Sequence, residues 1–247
     1  MYYYLYDSCL GDKKYNNIIS RIETRLTDLG INGKINRLSF LKNIYSVISE
    51  EIKRGVKTII IVGDDKTLGE AINLIGDLNV TIGIIPIGPN NKIAKLLGIP
   101  QGEEACDILS SRIIKKIDLG VVNNYYFITS LELDGKNANI ECDNSYIISS
   151  NNGENIITIN NLNYYQGENI DPKDGQIDIF IKNTQRKILG KSISTLSHFI
   201  NKKLVITGPK TLPIFITDEK KIIKTPAKIT VAPKKLKIIV GKKRCFN

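Results

Sequence analysis

The chain has no tryptophan, one methionine, one histidine and four cysteines in 247 residues. Cys9, Cys106, Cys142 and Cys245 stand alone, and no CxxC pair occurs. With His198 as the single imidazole, structural zinc, a thioredoxin-like centre and any chemistry that needs two histidines are excluded. The cysteine spacing carries no disulfide framework and reads as reduced thiols. The longest apolar runs, around residues 59–62 and 82–87, fall far short of the roughly 18 residues a membrane helix needs. The tyrosine-rich start, Met1 to Asp7, lacks the basic and apolar regions of a secretion signal. A cytoplasmic chain is expected.

Hydrophobic residues at 42% and charged residues at 24% match a folded chain rather than a disordered one. The 35 Lys and Arg against 25 Asp and Glu give a formal charge of +10, which favours anionic partners. Nucleic acid is not among those expected, because no RNP-like, helix-turn-helix or zinc pattern appears and the basic residues do not interleave with aromatics. The basic stretch 234–244 suits peripheral contact with an anionic membrane surface. It suits an exposed strand face equally well.

The first half alternates strand and helix. Strands are expected at 2–6, 58–62 and 80–86. One helix carries Ile18, Ile22, Leu26 and Leu29 on one face and stops at Gly30. A second begins at Ser39 as N-cap, turns Leu41, Ile44, Tyr45, Ile48 and Ile52 inward and stops at Gly55. Further helices are expected at 67–75, 91–97 and 103–113. Strand 58–62 is apolar on both faces, as buried parallel strands are. After residue 118 short strands dominate, at 117–122, 125–131, 145–149, 156–159, 177–181, 204–207, 213–216, 227–231 and 236–240, with one helix at 188–200. Asn123-Asn124 suits a hairpin turn. The expected architecture is therefore α/β plus β: a Rossmann-like three-layer α/β domain over 1–118, then an antiparallel β-sandwich over 119–247.

Strand 58–62 runs into Gly63-Asp64-Asp65-Lys66-Thr67 and a helix; strand 80–86 runs into Gly88-Pro89-Asn90-Asn91 and another. Such turns aim backbone N–H groups and the positive end of the helix dipole at one spot, an anion site. Two on neighbouring strands build one crevice, where open α/β sheets take ligands.

These segments resemble the diacylglycerol kinase catalytic domain family, the bacterial lipid kinase group. Residues 62–73 are similar to its GGDGT loop, and residues 82–94 with Leu97-Gly98-Ile99-Pro100 are similar to its GIIPLGTGNDFA…LGIP segment. Ile117-Asp118-Leu119-Gly120 resembles its IDLG element, Asp171 to Asp178 its P-x-DDG-x-L-D element, and residues 225–240 its closing strand pair. The resemblance spans residues 56 to 240 in order. It implies a nucleotide-binding domain followed by a β-sandwich, transfer of the ATP γ-phosphoryl to a lipid hydroxyl, and a magnesium ion. Gly63, Asp64, Asp65, Lys66, Thr67, Glu70, Gly88, Pro89 and Asn91 would surround the nucleotide. Asp174 would hold magnesium, with the carbonyls of Asp171 and Gln176 beside it, and Asp65 joins Glu219 or Asp218 as the catalytic carboxylates.

The chain departs from the pattern in places. Asp64 and Lys66 replace glycines, which cost little at positive φ and let backbone approach phosphate. Pro89 replaces a threonine and removes a backbone donor. Counting back from Pro226 sets Lys220 at the position of the family's base, with Glu219 one residue away. Tyr6-Asp7-Ser8-Cys9-Leu10-Gly11 stands where the family has NPxSG, and its helical insertion after Phe127 is missing. Two further readings follow: a catalytically inactive nucleotide- or phosphate-binding pseudokinase, and an NAD kinase, which shares the GGDGT turn. The NAD kinase reading ranks last because its Asn-Glu dipeptide occurs nowhere here.

Overall fold

The computed structural model describes residues 2–37, 44–75, 78–149, 154–165, 167–186, 192–208, 211–217, 219 and 221–247. Two compact units emerge, one of residues 1–117 with 234–247 and one of residues 118–233. The second therefore closes at Pro233 and not at the chain's end.

In the first unit, strands β1 (Tyr2–Tyr6), β2 (Gly33–Arg37), β3 (Thr58–Gly63) and β4 (Thr81–Pro86) form a parallel sheet in the order β2-β1-β3-β4. Lys237 and Ile238 pair with Thr81 and Ile82 and extend it. Every residue of β3 and β4 is buried, as continuous β-branched runs covered on both faces require. Helix α1 (Asn16–Asp28) buries Ile19, Ile22 and Leu26, and the chain leaves it at Gly30 with φ +64°. Helix α2 spans Ile44–Lys53; the expected cap Ser39 and Leu41 lie outside the described residues, as does the side chain of Tyr45. Helix α3 (Asp65–Ile75) starts two residues earlier than its periodicity suggests, and α4 is Lys92–Leu96. The helix expected at 103–113 is a 3-10 turn followed by α5 (Ala105–Ser111). Strand β2 was not expected: Gly-Lys-Ile-Asn-Arg carries no apolar pattern, and only its register against β1 makes it a strand. The strand order changes direction between β1 and β3, so the crevice of this sheet opens beyond their carboxyl ends.

The second unit holds antiparallel strands in two layers. After β5 (Ile114–Val122), which begins in the first unit, come β6 (Tyr125–Phe127), β7 (Ser130–Asp134), β8 (Asn139–Cys142), β9 (Tyr146–Ser149) and β10 (Glu154–Asn160). Then follow β11 (Asn163–Tyr165), β12 (Glu168–Ile170), β13 (Ile177–Arg186), β14 (Ser192–Asn201), β15 (Lys203–Thr207), β16 (Pro213–Ile216), β17 (Lys221–Lys224) and β18 (Ala227–Ile239). One layer runs β14-β13-β10-β7-β16-β17, and the other includes β15, β8 and β9 beside the first residues of β18. Alternate residues fill the core between them, among them Leu131 and Leu133, Ile157 and Ile159, Ile177 and Ile179, Ile214 and Ile216. Period-two alternation of this kind makes a sandwich. The hairpin turn falls where expected, with Asn123 at φ +55° between β5 and β6.

Two expectations are corrected here. The segment expected as helix 188–200 is, over its described part, the edge strand β14, paired with β13 from Ser192 to Asn201. Leu196 and Ile200 are spaced four apart as on a helix, but both are exposed, while Phe199 packs on the core. Ten paired residues and a Ser/Thr-rich composition outweigh the weak helical period. The closing pair 227–231 and 236–240 is one strand, β18, in which Lys234 takes φ +52°.

Candidate functional site

At the crevice of the first unit, β3 ends in Gly63 and α3 begins two residues later. Asp64 caps α3: its Oδ1 accepts from the Thr67 backbone N–H at 3.2 Å. The Thr67 hydroxyl donates to Asp7 at the end of β1, and Asp7 Oδ1 accepts from the Cys9 N–H at 2.7 Å. Burial pushes the Asp7 carboxyl up, but the bonds from Thr67 and Cys9 outweigh it and hold the group below its ordinary value. The Cys9 thiol is pushed up to about 11 by burial and by Asp7, which keeps it a thiol. A Cβ on Gly63 would sit 3.1 Å from the Asp7 side chain and 3.2 Å from the Thr67 hydroxyl, so glycine lets these groups close up.

Asp65 joins the two turns. Its N–H donates to the Asn90 carbonyl at 2.9 Å, and its carboxylate accepts from the N–H groups of Lys92 at 2.6 Å and Ile93 at 3.1 Å. The carboxylate thus satisfies the first turn of α4 and fixes the second loop against the first. In that second loop Gly88 takes φ +109°, and Asn91 Nδ2 donates to the Gly88 carbonyl at 2.7 Å. The strand ends are tied as well, Ile87 N–H to Gly63 O at 3.0 Å. The expected nucleotide residues of the two loops are therefore brought together, with Asp65 buried as their positioning residue. Lys66 and Glu70 instead lie on the outer face of α3, Nζ and Oε1 3.8 Å apart and both well exposed.

In the second unit, Asp118 is buried on β5; its N–H donates to the Pro172 carbonyl and its Oδ2 accepts from the Gly175 N–H at 2.8 Å. That pins the turn carrying Asp171, Asp174 and Gln176, which Gly175 enters at φ +72°. Asp174 Oδ1 accepts from the Gln176 N–H at 2.9 Å. Partial burial in the turn raises the Asp174 carboxyl above its ordinary value, the Gln176 bond opposes this, and the charges of Asp178, Asp171 and Asp118 add to it. Among the described residues no three His, Cys, Asp or Glu side chains form a metal cage. Magnesium, however, is held through one or two carboxylates with water and phosphate oxygens completing its shell. A carboxylate destabilised by its neighbours, on a fixed turn with hard oxygen donors, fits that requirement.

Asp218 and Lys220 lie outside the described residues. Glu219, between β16 and β17, is buried and accepts a hydrogen bond from the Tyr125 hydroxyl. Lys221 Nζ stands 3.4 Å from the centre of the Tyr125 ring. Beside this turn the Thr217 hydroxyl lies 3.1 Å from that of Thr129 and 3.0 Å from that of Ser130. His198 is on β14 rather than a helix face, its Nε2 2.6 Å from Asp178 Oδ1 and its ring stacked on Phe180. Sequence reasoning missed Asp7, Asp118 and Tyr125. Asp7 had a local signal, an Asp opening a tight turn with Ser8 (an Asx-type cap); the other two are set by pairings 57 and 94 residues apart.

Residues 2–122 match the model of the diacylglycerol kinase catalytic domain. A diacylglycerol kinase of Bacillus subtilis strain 168 is 27% identical over 128 residues, half of this chain and 42% of that protein. One from Staphylococcus haemolyticus is 36% identical over 80 residues, 31% of this chain and 24% of that protein. These matches thus take in less than half of either relative's length. Among solved structures, a diacylglycerol kinase from Bacillus anthracis superposes with a TM-score of 0.78 at 19% identity, over 98% of this chain and 97% of that one. That likeness gives the fold. Among the described residues, no helix is long and apolar enough to cross a membrane.

Proposed function

We propose, given that residues 2–122 belong to the diacylglycerol kinase catalytic domain family, that the chain transfers the γ-phosphoryl group of ATP to a lipid hydroxyl. The observation that carries the reading is Asp65, whose carboxylate bonds to the Lys92 and Ile93 amides and holds both phosphate-facing turns in one crevice. In the first unit, Gly63 to Thr67 and Gly88 to Asn91 bind and orient the nucleotide. In the second, Glu219 takes the proton from the acceptor hydroxyl, and the Tyr125 hydroxyl orients its carboxylate. Asp174 would hold magnesium, with the carbonyls of Asp171 and Gln176 as further donors. The ion would supply positive charge to the phosphoryl oxygens. The protein would meet its lipid at an anionic membrane surface, consistent with its net charge.

Asp64 favours a second reading. Its carboxylate already satisfies the α3 N-terminus where a phosphate would draw on the same N–H groups, and Asp7 adds another negative charge. On that reading the chain is a pseudokinase with weak nucleotide binding and no turnover. Labelled ATP with mixed micelles of diacylglycerol and other lipid alcohols separates the two. Labelled phospholipid is expected; none at any magnesium concentration, from protein that still unfolds cooperatively, leaves the pseudokinase reading.

A further inference from the structure

Along their strand order the two large sheets end in four strands, β2 and β9 on one, β14 and β17 on the other. An edge strand leaves a row of N–H and C=O groups unpaired, and proteins blunt such edges with charge. Two of the four are blunted in that way. β2 carries Lys34 and Arg37, and β17 carries Lys221 and Lys224, all exposed. β9 (Tyr-Ile-Ile-Ser) and β14 (Ser-Ile-Ser-Thr-Leu-Ser-His-Phe-Ile-Asn) hold no Lys, Arg, Asp, Glu or Pro across four and ten residues. In a chain that is 24% charged, that omission leaves both strands open to another strand.

The two uncharged edges lie on the same side of the second unit. The Tyr146 hydroxyl on β9 donates to Asn201 Oδ1 on β14 at 3.0 Å. Asn201 Nδ2 donates in turn to Asp143 Oδ2, just ahead of β9, at 3.0 Å. Their exposed side chains are largely apolar: Tyr146 is 42% exposed, Ile147 65%, Leu196 43% and Ile200 51%. Leu196 and Ile200 share the outward face of β14, since Phe199 between them packs on the core. An uncharged free edge and an apolar rim on one side of a sandwich together mark an interface.

We propose that β14 pairs antiparallel with β14 of a second copy of this chain, joining two six-stranded sheets across a two-fold axis normal to them. Residues directly opposed in such a pair share a face, so their numbers differ by an even count. With the axis through His198, Leu196 of each copy opposes Ile200 of the other, and Thr195 opposes Asn201. No other antiparallel register opposes the two apolar side chains. His198 needs nothing across the axis, because its Nε2 lies 2.6 Å from Asp178 Oδ1 of its own sheet. The β9 edges then face each other in the second layer, where Ile147 is covered. The occupant follows from the missing charge: a foreign strand is selected by complementary charges, whereas a neutral strand complements itself in an isologous contact. None of the residues given a part in phosphoryl transfer lies in β9 or β14.

Sedimentation equilibrium of the full chain between about 1 and 100 µM tests the pairing. A mass of twice 27.6 kDa is expected at the upper end. Leu196→Lys/Ile200→Lys gives β14 the charge that β2 and β17 carry, at positions exposed in the single chain. It should weaken self-association at least about tenfold while keeping the parent's far-ultraviolet circular dichroism. Ile222→Lys, on the already charged edge β17, should associate like the parent. A parent that stays at 27.6 kDa throughout, a Leu196→Lys/Ile200→Lys protein that associates as tightly as the parent, or an Ile222→Lys protein that dissociates would each overturn the proposal. Such a failure leaves the labelled-ATP assay untouched, so the two readings fail separately.

Discussion

Asp7 in the first unit and Asp174 in the second are displaced in opposite directions from the ordinary carboxyl value. Asp7 sits low because a hydroxyl and a backbone N–H donate to it and outweigh its burial. Asp174 sits high because burial and three neighbouring carboxylates act on a group with one backbone donor. The first unit thus uses its acidic residues as fasteners: Asp7, Asp64 and Asp65 all close hydrogen bonds that shape the turns. The second unit gathers acidic residues that repel one another, an arrangement a cation would relieve. The same residue type can therefore build a site or await its ion, and the donors around it decide which.

The sharpest way to break this contrast is Asp65→Ala. It strips a buried charged acceptor from two amides, and a loss of about 3 kcal/mol is expected in urea unfolding. An unchanged midpoint would mean that the two turns are held by something else. Next is Gly120→Val in the second unit, where a Cβ would lie 2.1 Å from the buried Phe127 ring across the β5–β6 pair. Overpacking of about 1–3 kcal/mol is expected, again read by urea. The acid limb comes third. The folded value of Asp7 is below its unfolded value of about 3.9, so the stability it contributes is present above that pH and fades as pH falls through the folded value. Asp7→Asn should flatten the loss of stability between about pH 4 and pH 2. Asp174 has the reverse sign: its folded value is raised, so its contribution is present below the unfolded value and lost as pH rises through the folded one. Asp174→Asn should leave the metal-free protein slightly more stable at pH 7. Millimolar magnesium should raise the melting temperature of the parent and leave that of the variant unmoved. A parent that ignores magnesium would undo the cation half of the comparison.

The first unit is the more legible of the two in the sequence. Buried parallel strands announce themselves by apolar runs, and the turns after β3 and β4 carry Gly, Asp and Asn in recognisable order. Strand β2 escaped because its residues are polar and its existence rests on pairing with β1. In the second unit, β14 escaped for a related reason: an edge strand needs no clean alternation, and Leu196 with Ile200 imitates a helix face. At the site, Asp64 and Asp65 stand next to each other in sequence yet do different things, one capping α3 and the other capping α4 27 residues on. No local pattern distinguishes them. Glu219 could be placed only to within a residue by spacing; its burial and the Tyr125 bond single it out among the described residues of that turn.

The most direct test of the whole account compares labelled phosphoryl transfer to lipid by the parent, Glu219→Gln and Asp64→Gly. Loss of a general base costs about 10²–10⁴ in rate, so Glu219→Gln should fall by that much while its melting temperature stays near the parent's. Asp64→Gly should instead bind ATP more tightly, since it removes a carboxylate from the α3 N-terminus. Opposite responses from the two carboxylates are the predicted result. A Glu219→Gln protein that transfers phosphate as fast as the parent would contradict the account.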